Sequence, residues 1–349
     1  MSVDDSEEDT TSVFETTASY RQSRLDYGQE QFAKWVGRPM TILWDDYRGR
    51  FGILVLLFYI GLGTVGTVLV GEPSTMQASP YLSPLEDPRF LLGTDGLGQD
   101  LFALMVHATP DMFKMIIGGA LFGTTASVVF GLVSGYYGGT IDKAIMTFTD
   151  TLASIPGLPL IIVVSMIVQP ESAFLVGVIV NIQGWAGGAR GLRAQVIPLA
   201  NKAHVEATRA MGIPTSDLLV KDIMSHLLPL IFIGMLGGAT RVIVASSALY
   251  FLGILPFATQ NWGITLNYAY EAGAPLWSLS AAHWLIVPVV TITLLNLGFT
   301  LLAQATDQVF NPRVRARHRR TIDEDDFGPD QDDHMAETQS KAATVGDIE

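Results

Sequence analysis

At 349 residues the chain could hold two soluble domains, but 49% hydrophobic residues, 16% charged residues and a mean hydropathy of +0.34 argue against them. The absence of cysteine excludes disulfides and thiolate metal sites. The net charge of -13 is local: of 34 acidic residues, six fall in residues 1–20 and ten in 321–349.

Residues 1–50 open as an acidic cytoplasmic tail that lacks the basic-then-apolar pattern of a cleaved signal, so the N-terminus is expected to be retained. Within it, Tyr27, Trp35, Trp44 and Tyr47 alternate with Arg21, Arg24, Arg38, Arg48 and Arg50, a mix suited to a short helix in the membrane interface. A bilayer core of about 30 Å needs roughly 20 apolar residues per helix. Spans are predicted at 51–71, 115–138, 144–169, 173–189, 230–256 and 284–306, the first with no charge from Leu54 to Val70. Asn181, Gln183 and four glycines dilute the fourth. The tail 311–349 is acidic and low in large apolar residues, which predicts disorder, and its Lys-poor acidity is of the kind found in proteins of salt-loving organisms.

The predicted fold is therefore an all-α integral membrane protein with six transmembrane helices and both termini cytoplasmic. Its divisions are 1–50, then 51–114 with an outer loop, then a core 115–310, then the tail 311–349. With that orientation, 18 of the 21 Lys and Arg residues lie on the cytoplasmic side and Arg89 alone in the outer segments, as the positive-inside rule requires. Lys114 then falls at a helix start and Arg241 inside a span.

Two loops are too long for plain connectors. The inner one, 190–229, contains His204-Val205-Glu206-Ala207-Thr208-Arg209-Ala210-Met211-Gly212-Ile213-Pro214. It predicts a short helix stopped by Gly212 in the left-handed conformation, a turn at Pro214, and a second helix capped by Thr215 or Ser216. Without a partner this is an amphipathic surface hairpin; with one it is a docking element. The outer loop carries Leu91-Leu92-Gly93-Thr94-Asp95-Gly96-Leu97-Gly98-Gln99-Asp100. Its glycines suit positive φ and its Thr94, Asp95 and Asp100 suit turns or caps, although paired aspartates could also serve a hard cation.

Arg241 in the fifth span is a functional candidate by its cost there, or a structural cation paired with an acid such as Asp150. Ser246 lies five residues further along. Gly131, Gly135, Gly184, Gly187 and Gly188 suit close helix packing. The six histidines have no metal-ligand spacing, so no metal site is expected. No Walker A motif is present, so the chain cannot cradle ATP phosphates in the P-loop manner and is expected to be non-catalytic, without a cofactor.

Glu206-Ala207-Thr208 with Gly212 and Leu228-Pro229 resembles the EAA loop of ATP-binding-cassette (ABC) importer permeases, and Gly93, Thr94, Asp95, Gly98 and Asp100 resemble the LLGTDxxGxD signature of their dipeptide, oligopeptide and nickel branch. Ala248 to Gly253, Asn261-Trp262-Gly263, Asn296-Leu297-Gly298 and Asn311-Pro312-Arg313 follow the same branch in order, as do Asp142 and Asp150 to Pro156. Ser246 departs, standing where many members have an acid, and the interval from Gly212 to Pro229 is about four residues longer than usual, roughly one helical turn. The resemblance implies a type I importer permease of the second, C-type kind. Its expected partners are a homologous permease subunit, two ABC ATPase subunits, an extracytoplasmic solute-binding protein and the lipid bilayer, with no nucleic acid. Glu206, Ala207, Thr208, Arg209 and Gly212 would then form the coupling element, and the solute would be a peptide, a nickel complex or an oligosaccharide. An ATP-independent secondary transporter or channel is the alternative; few intramembrane charges speak against it.

Overall fold

The computed structural model describes residues 43–255 and 260–310, and all regular elements among them are helices. Residues 1–42, with most of the predicted interfacial helix, and 311–349, with the acidic tail and Asn311-Pro312-Arg313, lie outside the described residues.

Helix α1 (Tyr47–Gly61) starts where the Asp46 carboxylate accepts the Arg48 N–H at 2.9 Å. It runs on through a wide π-type turn, Leu62–Gly66, to Leu69, giving 23 continuous residues. Leu54, Leu57, Phe58 and Val68 face outward, whereas Val55 and Tyr59 are buried and the Tyr59 hydroxyl donates to Thr291 O at 2.9 Å. The apolar exterior is what a lipid solvent demands.

Helix α2 (Leu101–Tyr137) has 37 residues, about 55 Å at 1.5 Å per residue. It begins well before the predicted start at 115, because Leu101, Met105, Val106, Ala108 and Met112 are buried against the protein while Asp111 and Lys114 pair at 2.7 Å. Lys114 is thus mid-helix and not at a helix start.

The third predicted span is not one straight helix. α3 (Gly139–Ser154) and α4 (Gly157–Val168) meet at 90°. Ile155 is extended, with ψ 132°, as the residue before a proline prefers, and Pro156 cannot continue the helix hydrogen bonding. The fourth is also divided: α5 (Ala173–Val180) ends at Asn181, and α6 (Trp185–Ala200) follows after a turn. The Asn181 amide donates to Gly119 O of α2 at 2.6 Å, so the break is tied to the core.

α7 (Ala203–Ala210) precedes a second 37-residue helix, Thr215–Phe251, whose regular part is α8 (Met224–Phe251). α9 (Trp262–Ala272), capped by Asn261, and α10 (Ala274–Trp277) lead to α11 (His283–Phe310). Among the described residues, four helices are long and apolar enough to cross a membrane, or five if the bent pair counts as one span.

α2 is the common neighbour of α5, α6 and α8, while α11 packs on α1 and α8. The α2 contacts are backbone-close. A Cβ added at Gly177 would run into Met115 O, one at Gly118 into Phe174 O, and one at Gly135 would stand 2.7 Å from the Val196 Cβ. Trp262 is fully buried beneath, its indole N–H donating to Met105 O at 3.1 Å. Gly177→Val is expected to destabilise the fold by about 1–3 kcal/mol or more, since backbone cannot yield as a side chain can. Gly187→Ala, with nothing within 4 Å of the added Cβ, is expected to leave stability unchanged or higher. Thermal unfolding of the two variants in detergent checks both.

Candidate functional site

The signature at 91–100 folds into a knot of backbone bonds. Gly93 (φ 78°) and Gly98 (φ 70°) both take conformations that side chains resist. Between them, the Thr94 hydroxyl donates to Ser79 O at 2.7 Å and accepts from Leu82 N at 3.0 Å. Asp95 is 4% exposed, and its Oδ1 accepts from Leu97 N at 2.8 Å and Gln99 N at 2.7 Å. Asp100 is the N-cap of α2 and accepts from Phe102 N at 2.9 Å. Both aspartates are therefore occupied by N–H donors, which favours the capping reading over a cation site. The imidazole Nε2 of His283, at the start of α11, lies 3.0 Å from Thr94 O and must carry the proton, since a carbonyl only accepts. The spacing of 189 residues gave no sequence signal for that contact.

In the inner segment, α7 is held by Val205, 1% exposed, in a cluster with Leu132 of α2, Leu192 and Val196 of α6, and Leu218, Ile223 and Leu227. Glu206, Ala207 and Arg209 are exposed and Thr208 is half-buried. Gly212 has φ 75° and ends the helix as the sequence predicts. Met211 is 70% and Ile213 40% exposed at the tip. The next helix starts at Thr215 with Pro214 before it, and no Thr215 or Ser216 side chain caps it. From Thr215 onward the longer interval to Pro229 is helix, with a π-type turn at Leu218–Ile223. Arg209 departs from a docking role alone, because its guanidinium lies over the Tyr136 ring, 5.1 Å from the centroid.

Arg241 does not pair with Asp150. Its Nη1 donates to Gly184 O at 2.9 Å and Asn181 Oδ1 at 3.4 Å, while Asp150 pairs with Arg190 at 3.1 Å. Ser246 is buried, facing Ile243 O and the Met112 sulfur, so it is a packing residue. Arg193 and Asp142 form a two-pronged pair at 2.5 and 2.6 Å that fastens α3 to α6. A fork of this kind is among the stronger side-chain contacts, and nothing in the spacing of the two residues announced it.

Burial raises the Asp95 carboxyl above its usual range against the opposing pull of its two N–H donors, and the same holds for Asp100 with Phe102 and Ala103. A carboxyl raised on folding binds protons more tightly in the native state, so the loop gains stability as pH falls through this titration and loses it as pH rises. Asp95→Asn keeps an acceptor without a buried charge and is expected to be tolerated within about 1 kcal/mol, whereas Asp95→Ala takes the acceptor from the part-buried Leu97 and Gln99 N–H groups and is expected to cost about 1–3 kcal/mol. Proteolysis of the 70–100 loop against pH, in both variants, checks these outcomes.

Residues 127–316 match the family described as binding-protein-dependent transport system inner membrane component. Relatives include the oligopeptide transport system permease protein OppC of Bacillus subtilis, 30% identical over 81% of this chain and 94% of the relative. The dipeptide transport system permease protein DppC of the same organism is 28% identical over 76% of this chain and 81% of its own length. The glutathione transport system permease protein GsiD of Pectobacterium atrosepticum is 30% identical over 64% and 73%. With the family match spanning α7, its glycine turn and the two last long helices, the chain belongs to the inner membrane components of binding-protein-dependent ABC importers, alongside the C-type permeases.

Proposed function

We propose that this chain forms half of the translocation pathway of an ATP-driven peptide importer and takes its power stroke through α7. The observation that carries the reading is the short helix and glycine turn of residues 203–214. It presents Glu206, Ala207, Met211 and Ile213 outward, while Val205 locks its base to α2 and α6. An exposed apolar tip on a rigid base suits insertion into a groove of another protein. The relatives named for dipeptide, oligopeptide and glutathione transport support a peptide as the solute.

In this reading the ATPase dimer closes on nucleotide and displaces α7. The displacement passes to α2 and α6 through the Val205 cluster and to α8 through the helix that starts at Thr215. The two permeases then rock between inward-facing and outward-facing arrangements. Coupling of this sort requires that α7 contact the ATPase differently in the two states. A second permease subunit, two ATPase subunits and an external solute-binding protein complete the assembly. Counting the bent α3–α4 pair and the broken α5–α6 pair as one crossing each gives six crossings. Basic residues then gather in the cytoplasm, both termini lie inside and the 70–100 loop lies outside.

Two measurements test this. Gly212→Arg is expected to keep the spans folded, since the glycine has open space around it, but to strain the φ 75° backbone and obstruct the docking tip. Co-purification of the ATPase should fall, and solute-stimulated hydrolysis in reconstituted vesicles should drop at least tenfold if about 1.4 kcal/mol of docking energy is lost. Normal ATPase binding and transport would remove α7 from the coupling role. The cysteine-free chain also allows topology to be read from Ser216→Cys. An impermeant thiol reagent should label it only after the cell is opened, and labelling in intact cells would overturn the orientation.

A further inference from the structure

One guanidinium in the apolar part of the molecule has no acid to answer it. Arg241 is exposed on α8, and both its acceptors, Gly184 O and Asn181 Oδ1, are neutral. Among the described residues it has no carboxylate partner. Its side chain borders a cleft of about 290 Å³ between α2, the 181–192 segment and α8. Five of the seven glycines that line the cleft fall into two contrasting groups. Gly123 and Gly184 are small because Asn181 or Arg241 would otherwise collide with them. At Gly191, Gly234 and Gly237 an added Cβ would meet nothing within 4 Å. Those three make room that none of the described residues uses.

A guanidinium offers five N–H donors in a planar fork, and here Nη1 alone bonds to the described residues. An anion with two oxygens matches the rest, and an unpaired cation within a membrane protein favours an anionic occupant. The cleft stands at the lower end of the sizes of small-molecule sites, enough for one end of a short peptide. Thr124 and Ser127 line it as well, so the apolar walls carry a few polar groups at one end.

Resting on the peptide reading above, we propose that this cleft is a carboxylate subsite of the translocation route, in which Arg241 holds the C-terminal carboxylate of the passing peptide.

The test uses the assembled importer in lipid nanodiscs without nucleotide, with Gly237→Cys as the single thiol. The introduced thiol should react faster with an anionic sulfonatoethyl thiosulfonate than with a cationic trimethylammonioethyl one, by on the order of tenfold for one nearby charge partly screened by solvent. Adding Arg241→Gln should abolish that preference. A tripeptide with a free carboxylate should slow labelling, and its C-terminal amide should not. Equal rates for the two reagents, a preference that survives Arg241→Gln, or equal protection by acid and amide would each overturn the subsite. So would a thiol that labels in the isolated subunit and not in the assembly, which would make Arg241 a contact of the second permease. Protection by non-peptide carboxylates with none by any peptide would keep the subsite and overturn the peptide reading instead.

Discussion

The fold depends on how closely other backbone can approach α2. Helices in lipid gain nothing from hiding apolar surface, so they associate through close packing and interhelical hydrogen bonds. Gly118, Gly119 and Gly177 bring the backbones of α2 and α5 into direct approach, and Gly131 and Gly135 let the Leu192 and Val196 side chains of α6 seat against α2. Asn181 adds a bond to Gly119 O where the segment breaks. With α2 so committed, the broken helices α5 and α6 are held by one long neighbour and need no length of their own.

The same contact positions both candidate regions. On one side, Asp100 caps α2 and Leu101 N bonds to Gly93 O, so the outer-loop knot is continuous with the helix start. At the other end, Leu132 of α2 enters the cluster that holds Val205, and Tyr136 lies under Arg209. α7 is thus packed near one end of a helix about 55 Å long whose far end carries the 70–100 loop. The Arg193–Asp142 clasp adds a second fastening, tying α3 to α6.

The sequence made the long elements legible because continuous apolar runs have one physical reading in a membrane. It disclosed Gly212, Gly93 and Gly98 because positive φ leaves few other residues to choose. The broken elements were harder to see. Pro156 sits inside an otherwise apolar run, and hydropathy averages over the 90° turn it causes. The early start of α2 was hidden for the opposite reason: Asp111 and Lys114 lower the local hydropathy although they occupy one face and pair with each other. Arg241 was legible as an anomaly but its surroundings were not, since Asn181 and Gly184 are polar contacts of a kink, and charge counting looks for acids.

The π-type turn at Leu218–Ile223 lies within one unbroken helix from Thr215 to Phe251. A wider turn takes in an extra residue, and each residue in an α-helix corresponds to roughly 100° about the axis. The Thr215 end and the Arg241 end of this rod are therefore keyed to each other in azimuth as well as height. Closing up that turn would have to rotate the Thr215 end or else turn the buried face of Leu236, Ala239, Val242 and Ile243 away from its neighbours, so the packing of that face decides where Arg241 points.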